Sequence, residues 1–233
     1  MLHLDRLELA QGDFRLLADL HIPRGNSVAL LGPSGGGKST LLAGIAGFLA
    51  PQSGRVLWEG QDLGPLPPGR RPISILFQDS NLFPHLTALQ NVALGLRPSL
   101  RPRQEERARA SEALDRVGLA GLEERRPAQL SGGQQARAAL ARVLVQDRPL
   151  VLMDEPFGAL GPALKSEMLD LTRDVLARRG ATILMVTHDP DDAAAFAAMV
   201  IVVADGRAEA ARPTGAVLAD PPPALRAYLG RHA

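Results

Sequence analysis

A chain of 233 residues with 45% hydrophobic and 22% charged content has the make-up of an ordinary soluble globular protein, large enough for one big domain or two small ones. A formal net charge of +1 gives no electrostatic reason to expect nucleic acid or an anionic membrane surface as partner. No apolar run approaches bilayer-spanning length, the opening MLHLDRLELA carries charges where a secretion signal needs an apolar core, and the absence of cysteine excludes disulfides and thiolate metal sites. A cytoplasmic protein is expected.

In chain order, residues 1–25 read as short alternating strands. Ser27 to Leu31 is a short apolar run typical of a buried strand, and Lys38 to Phe48 is helix-like. Roughly residues 53–77 return to alternating strands, with turns at Pro51-Gln52-Ser53-Gly54 and Glu59-Gly60, so a small antiparallel sheet is expected. From Arg103 to Gly118 the spacing of Ala110, Ala113, Leu114 and Val117 predicts an amphipathic helix. Pro127 interrupts the chain, and a further helix places Ala136, Ala139, Leu140, Val143 and Leu144 on one face. Leu150 to Met153 and Thr182 to Val186 are strands apolar at every position, followed by helix-like stretches from Pro162 to Arg178 and Asp191 to Ala198. Such runs imply burial on both faces, as in a parallel sheet covered by helices, and the alternation predicts an α/β core.

Gly32, Pro33, Ser34, Gly35, Gly36, Gly37, Lys38, Ser39 and Thr40 read GPSGGGKST, which fits the phosphate-loop pattern G-x-x-x-x-G-K-[ST]. The glycines let the backbone curl so that successive N–H groups face one set of phosphate oxygens, and the helix starting near Lys38 adds the positive end of its dipole. Lys38 then reaches the β- and γ-phosphates, and the Ser39 hydroxyl is placed to ligate Mg²⁺. Only two lysines, Lys38 and Lys165, stand among the 26 basic residues, and one of them lies in this loop. A nucleoside triphosphate site is expected.

VLMDEP, Val151 to Pro156, ends an apolar strand on two carboxylates. Asp154 is placed to hold Mg²⁺ through water, and Glu155 to orient or deprotonate a water attacking the γ-phosphate.

LSGGQ, Leu130 to Gln134, opens the helix bearing Ala136 to Leu144. Its N-terminal amides around Ser131, Gly132, Gly133 and Gln134 make a second anion site. With this motif the order of Gly32–Thr40, Gln78, Leu130–Gln134, Val151–Pro156 and His188 resembles that of the ATP-binding cassette (ABC) ATPases over essentially the whole chain. The resemblance implies a P-loop NTPase (RecA-like) α/β core with an N-terminal antiparallel β subdomain and an inserted helical subdomain. It implies one domain over 1–233: residues 1–79 and 146–233 as nucleotide-binding core with the β subdomain, and 80–145 as the helical subdomain ending in LSGGQ. It further implies ATP with Mg²⁺, Gln78 sensing the metal and the attacking water, His188 contacting the γ-phosphate, and two copies paired head to tail with each phosphate loop facing the partner's LSGGQ. A homodimer, or pairing with a related subunit, follows.

The family mostly powers transport. The segment Phe77 to Leu96 is expected to expose apolar Leu82, Phe83 and Leu86 beside a proline, and reads equally as a docking surface for a helix of a membrane partner or as local packing of the helical subdomain. RRPISILFQDSNLFPHLTALQNVALGL together with Val202 to Arg207 (VVADGR) looks like the ATP-binding subunit of bacterial thiamine importers. That likeness implies membrane permease subunits, a periplasmic binding protein acting indirectly, a peripheral place on the cytoplasmic face of the inner membrane, and a chain closing at His232-Ala233 without a regulatory domain. Importers of ferric iron, sulfate, molybdate or polyamines share most of these motifs.

Three positions depart from the family pattern. Gly161 replaces the Asp of S-A-L-D, Gln11 stands where an aromatic ring usually stacks on adenine, with Phe14 as a substitute, and Gln135 replaces an Arg after LSGGQ. These keep open a weakly hydrolysing, ATP-dependent interaction module. A non-transport ABC protein acting on DNA or ribosomes needs a coiled-coil insertion or two cassettes, for which there is no room.

Overall fold

The computed structural model describes residues 1–230; His232 and Ala233 lie outside the described residues. The elements are β1 (Leu2–Gln11), β2 (Phe14–Ile22), β3 (Ser27–Leu31), α1 (Lys38–Ala46), β4 (Ser53–Trp58), β5 (Gln61–Asp62), β6 (Ile73–Leu76), α2 (Ala88–Ala93), α3 (Gln104–Arg116), α4 (Gly132–Gln146), β7 (Leu150–Asp154), α5 (Pro162–Ala177), β8 (Thr182–Val186), α6 (Pro190–Phe196), β9 (Met199–Ala204), β10 (Arg207–Ala208), β11 (Arg212–Pro213), α7 (Thr214–Ala219) and α8 (Pro223–Tyr228). They fall into two compact units, residues 1–73 with 180–233, and residues 74–179.

In the first unit, alternation of apolar and polar side chains makes an antiparallel sheet in the order β5-β4-β1-β2, with Leu2, Leu4, Leu7 and Leu9 buried on one face. β1 and β2 are 10 and 9 residues long, longer than the short strands expected, because a bulge at Arg6 (φ 45) absorbs the register shift between Leu4 and Leu7 without ending the pairing. β10 links this sheet to the α/β part, running parallel to β2 and antiparallel to β9. There β3 lies between β8 and β9, parallel to both, and all five residues of β8 are buried, as apolar runs on a covered sheet require. β9 is an addition to the expected strands. The helix before it stops at Phe196, and MVIVVA, apolar at every position, then continues as a strand.

α1 ends at Ala46, short of Phe48, because Gly47 turns left-handed (φ 88) and returns its N–H to the carbonyls of Ala43 and Gly44. The helix lies close on β1: a Cβ at Gly44 would fall 2.4 Å from a Leu9 methyl carbon. Burying Leu9, Leu41 and Ile45 stabilises this packing by about 1.5–3 kcal/mol each, which outweighs the exposed ion pairs of the outer sheet. The far end of α1 is gripped by Arg71, only 4% exposed. Its guanidinium donates to the carbonyls of Ile45 (2.7 Å), Gly44 (3.1 Å) and Leu66 (3.1 Å), supplying the last carbonyls with partners and placing a cation at the negative end of the helix dipole. Burial pulls the Arg71 guanidinium below its ordinary value.

In the second unit α2, α3 and α4 pack on one another, and β7 lies beside β6. α3 spans most of the expected helix, with Arg103 as its N-cap. α2 is a short helix started by a capping box, in which Thr87 accepts from the Gln90 N–H and Gln90 accepts from the Thr87 N–H. Among the described residues no helix is long and apolar enough to cross a membrane.

Candidate functional site

In the first unit the chain leaves β3 at Leu31 and enters α1 at Lys38, so Gly32 to Gly37 form the strand-to-helix loop that the motif requires. The loop lies against β9. A Cβ at Gly32 (φ 155) would fall 2.0 Å from the Val203 carbonyl oxygen, and one at Gly36 would fall 2.7 Å from the same atom; only glycine permits that approach. Lys38 is 7% exposed. Its ammonium donates to the carbonyls of Gly32 (2.8 Å) and Pro33 (2.9 Å), so the side chain folds back over its own loop. Ser39, in the first turn of α1, is exposed, and Thr40 is half-buried.

Beside the loop is a cavity of about 380 Å³ lined by Asp13 to Arg15, Pro33 to Gly36, Asp205 and Gly206. Phe14 is half-buried, and its ring lies against Gly37, where an added Cβ would meet the ring edge at 2.8 Å. Gln11 is exposed and is not among the lining residues. The opposite wall is the β9–β10 turn, where Asp205 (φ 50) and Gly206 (φ 69) are both left-handed, as a two-residue hairpin turn demands. An Asp-Gly pair after an apolar run is the sequence signal of such a hairpin. A glycine cradle next to an apolar ring and a mixed-charge wall fits a nucleotide.

His188 follows β8. β3 and β8 run parallel with Leu30 opposite Val186, so Gly32 and His188 each stand two residues past that pair, at the same edge of the sheet. His188 is exposed, and its carbonyl accepts from the Tyr228 hydroxyl at 2.7 Å. Thr187 holds the turn that carries His188: its hydroxyl accepts from the Asp189 N–H (3.1 Å) and donates to the Asp192 carboxylate (3.2 Å).

The second unit carries the remaining sites. Ser131 is the N-cap of α4: its hydroxyl accepts from the Gln134 N–H (3.3 Å), while the Gln134 side chain accepts from the Ser131 N–H (3.0 Å). The S-G-G-Q turn is therefore a capping box. Gly133 is buried, and a Cβ there would meet a Leu164 methyl at 2.7 Å; Ser131 and Gly132 are exposed. Gln135 closes the turn before the box by donating to the carbonyls of Pro127 (3.0 Å) and Leu130 (3.2 Å). Asp154 ends β7 half-buried. Glu155, also half-buried, is left-handed at φ 44, a sparsely populated region for a side chain of this size, and the Gly158 N–H closes the turn onto the Glu155 carbonyl at 3.2 Å.

Gln78 follows β6 on an exposed turn. The segment after it is organised from below. Asn91, fully buried, accepts from the Phe83 N–H (2.7 Å) and donates to the carbonyls of Phe83, Leu86 and Thr87 (3.1, 3.3 and 3.0 Å). This corrects one expectation. Phe83 is 48% exposed but Leu86 is buried and Leu82 half-buried, since Asn91 turns the chain so that Leu86 faces inward.

A family model for ABC transporters matches residues 17–158, and the chain belongs to that family, with its P-loop ATPase fold, antiparallel β subdomain and inserted helical subdomain. The chain is 65% identical to the thiamine import ATP-binding protein ThiQ of Cereibacter sphaeroides, over 99% of this chain and 100% of the relative. It is 57% identical to the protein of the same description from Ruegeria sp., again over 99% and 100%, and 50% identical to that of Yersinia pseudotuberculosis, over 94% and 92%. Among solved structures it is similar to the ATP-binding cassette MJ0796, a dimer in a post-hydrolysis state bound to ADP and Pi, with a TM-score of 0.77 and 32% identity over 92% of this chain and 99% of that one.

Proposed function

We propose that this chain is the ATP-hydrolysing subunit of a bacterial ABC importer, taking up thiamine or its phosphates. It works as a homodimer beneath membrane permease subunits on the cytoplasmic face of the inner membrane, with a periplasmic binding protein delivering substrate to them. The observation that carries the reading is the likeness, end to end, to proteins described as thiamine import ATP-binding proteins. The reading divides the domain into a nucleotide-binding core over 1–79 and 146–233 and a helical part over 80–145.

In this reading the loop from Gly32 to Thr40 holds the triphosphate, Lys38 turning from its own carbonyls to the β- and γ-phosphates. The base occupies the cavity beside Phe14. Ser39, Gln78 and Asp154 are all oxygen donors, the hard ligand set that Mg²⁺ takes alongside water and substrate phosphates; these residues would hold the ion, which would offset negative charge on the triphosphate. Glu155 accepts a proton from the water that attacks the γ-phosphorus as the bond to the ADP oxygen breaks, and His188 holds the γ-phosphate in line. The amides and hydroxyl of Ser131 to Gln134 serve the triphosphate of a second copy.

A second reading, a nucleotide-dependent interaction module that scarcely hydrolyses ATP, is favoured by Gly161, where a carboxylate is missing. Uptake of labelled thiamine at nanomolar concentration separates the two. It is measured in cells lacking the gene, then restored with wild type or Glu155→Gln. Uptake lost on deletion and regained only with wild type is expected. Uptake indifferent to deletion would sink the thiamine assignment, and uptake regained with Glu155→Gln would sink the hydrolytic role.

A further inference from the structure

Gln78 opens a turn whose last two residues, Ser80 (φ 53) and Asn81 (φ 48), are both left-handed. Two consecutive non-glycine residues in that region persist only where the surroundings hold them. Their N–H groups close on the carbonyls of Phe77 and Asp79 within the turn, and their own carbonyls are gripped by a single side chain from α4. Arg142 donates from Nη2 to the Ser80 carbonyl (2.8 Å) and from Nη1 to the Asn81 carbonyl (2.7 Å), a planar fork matched to two neighbouring acceptors.

Arg142 is half-buried, and burial alone pulls its guanidinium below its ordinary value. Neutralisation is not an alternative for an arginine. If the two carbonyls left, the cation would remain poorly solvated without partners, which is unfavourable. The turn and the helix are therefore held as one piece. Ser131 and Arg142 lie roughly three helical turns apart, so the face of α4 that begins with the S-G-G-Q turn also carries the fork. α2 closes on the same stretch: a Cβ at Gly95 would fall 2.6 Å from the Arg142 carbonyl oxygen.

We propose that Arg142 is a positioning residue that fastens the Gln78 loop to α4, so that a displacement of the S-G-G-Q turn by a nucleotide is carried to Gln78. The consequence for hydrolysis rests on the roles proposed above for Gln78 and the S-G-G-Q turn; the fastening itself does not.

The test compares wild type, Arg142→Met and Arg142→Lys as full chains, by hydrogen exchange without nucleotide and by steady-state ATP hydrolysis. In Arg142→Met the amides of residues 78–81 should exchange more than about tenfold faster, with those of α4 unchanged. Arg142→Lys, which keeps the charge but not the fork, should fall between. ATP turnover should drop while KM for ATP stays within about twofold of wild type. If Arg142→Met does not fold, Arg142→Lys carries the test. Unchanged exchange at 78–81 overturns the fastening, as does faster exchange spread through α4, which would mean a merely structural role. Unchanged turnover in the face of faster loop exchange overturns the transmission. A parallel Gln78→Ala variant with wild-type turnover would overturn the role given to Gln78, and the nucleotide-free exchange would still decide Arg142.

Discussion

The ring of Phe14 lies against Gly37, so close that a methyl group on the glycine would come within 2.8 Å of it. The hairpin that ends β1 and begins β2 thereby brings the edge of an aromatic ring to the glycine that caps the phosphate-loop helix. Base-on-aromatic stacking contributes about 1–3 kcal/mol, so Phe14→Ala should raise KM for ATP roughly fivefold or more with turnover at saturation little changed. Phe14→Tyr should behave as wild type. Steady-state hydrolysis measures both; a KM indifferent to Phe14→Ala would mean that the base lies elsewhere.

Lys38 shields its ammonium with two carbonyls of its own loop, and removing it takes away the cation that the proposed function assigns to the triphosphate. Lys38→Ala should weaken ATP binding about 100-fold, as the loss of a strong charge-assisted contact implies. Titration calorimetry gives the affinity, and a melting temperature near that of wild type would show that the loss is local.

Gly161 is the N-cap of α5, with no side-chain cap and open space where a Cβ would stand. Gly161→Asp fits that space and caps the first turn, for a gain of a few tenths of a kcal/mol over glycine, or about one degree in melting temperature. If the missing carboxylate is what slows hydrolysis, as the second reading holds, turnover rises as well. A stabilised variant with unaltered turnover would remove that explanation.

Acid should loosen the start of α3. The Arg103 N–H donates to Glu106 at 2.7 Å and Arg97 at 2.9 Å, and first the backbone bond and then Arg97 hold the carboxyl below its ordinary value of 4.5. A carboxyl depressed in the folded state contributes stability that is present above the unfolded value and lost as pH falls through the folded one. Glu106→Gln should therefore be less stable than wild type at pH 7, the gap closing as pH drops below about 4.5. Urea unfolding at both ends of that window measures it.

The features legible in the sequence were those whose cause is local. The glycines and lysine of the phosphate loop, the apolar runs of β3, β7 and β8, and the helix after Leu130 each follow from neighbouring residues. β9 was equally apolar but followed a helical stretch with no glycine or proline between them, so the boundary at Ala197–Ala198 could not be placed. Leu86 looked exposed because the residue that turns it inward, Asn91, acts by hydrogen bonds to carbonyls rather than by any pattern. Arg71 and Arg142 were two arginines among many. Their partners are backbone oxygens that come near only once the chain has folded, and no spacing rule announces them. Phe14 was visible as a substitute ring, and its contact with Gly37 required the hairpin.

The Val203 carbonyl that presses on Gly32 and Gly36 belongs to a strand made late in synthesis, while the glycines emerge early. β3 likewise has both of its partners, β8 and β9, in the last part of the chain. A ribosome-bound chain halted before Met199 has the whole phosphate-loop motif but no wall to shape it, and should not retain ATP. The gain of nucleotide affinity, followed on chains stalled at successive lengths, should come only once β9 has cleared the exit tunnel, so that ATP capture reports the completion of the fold.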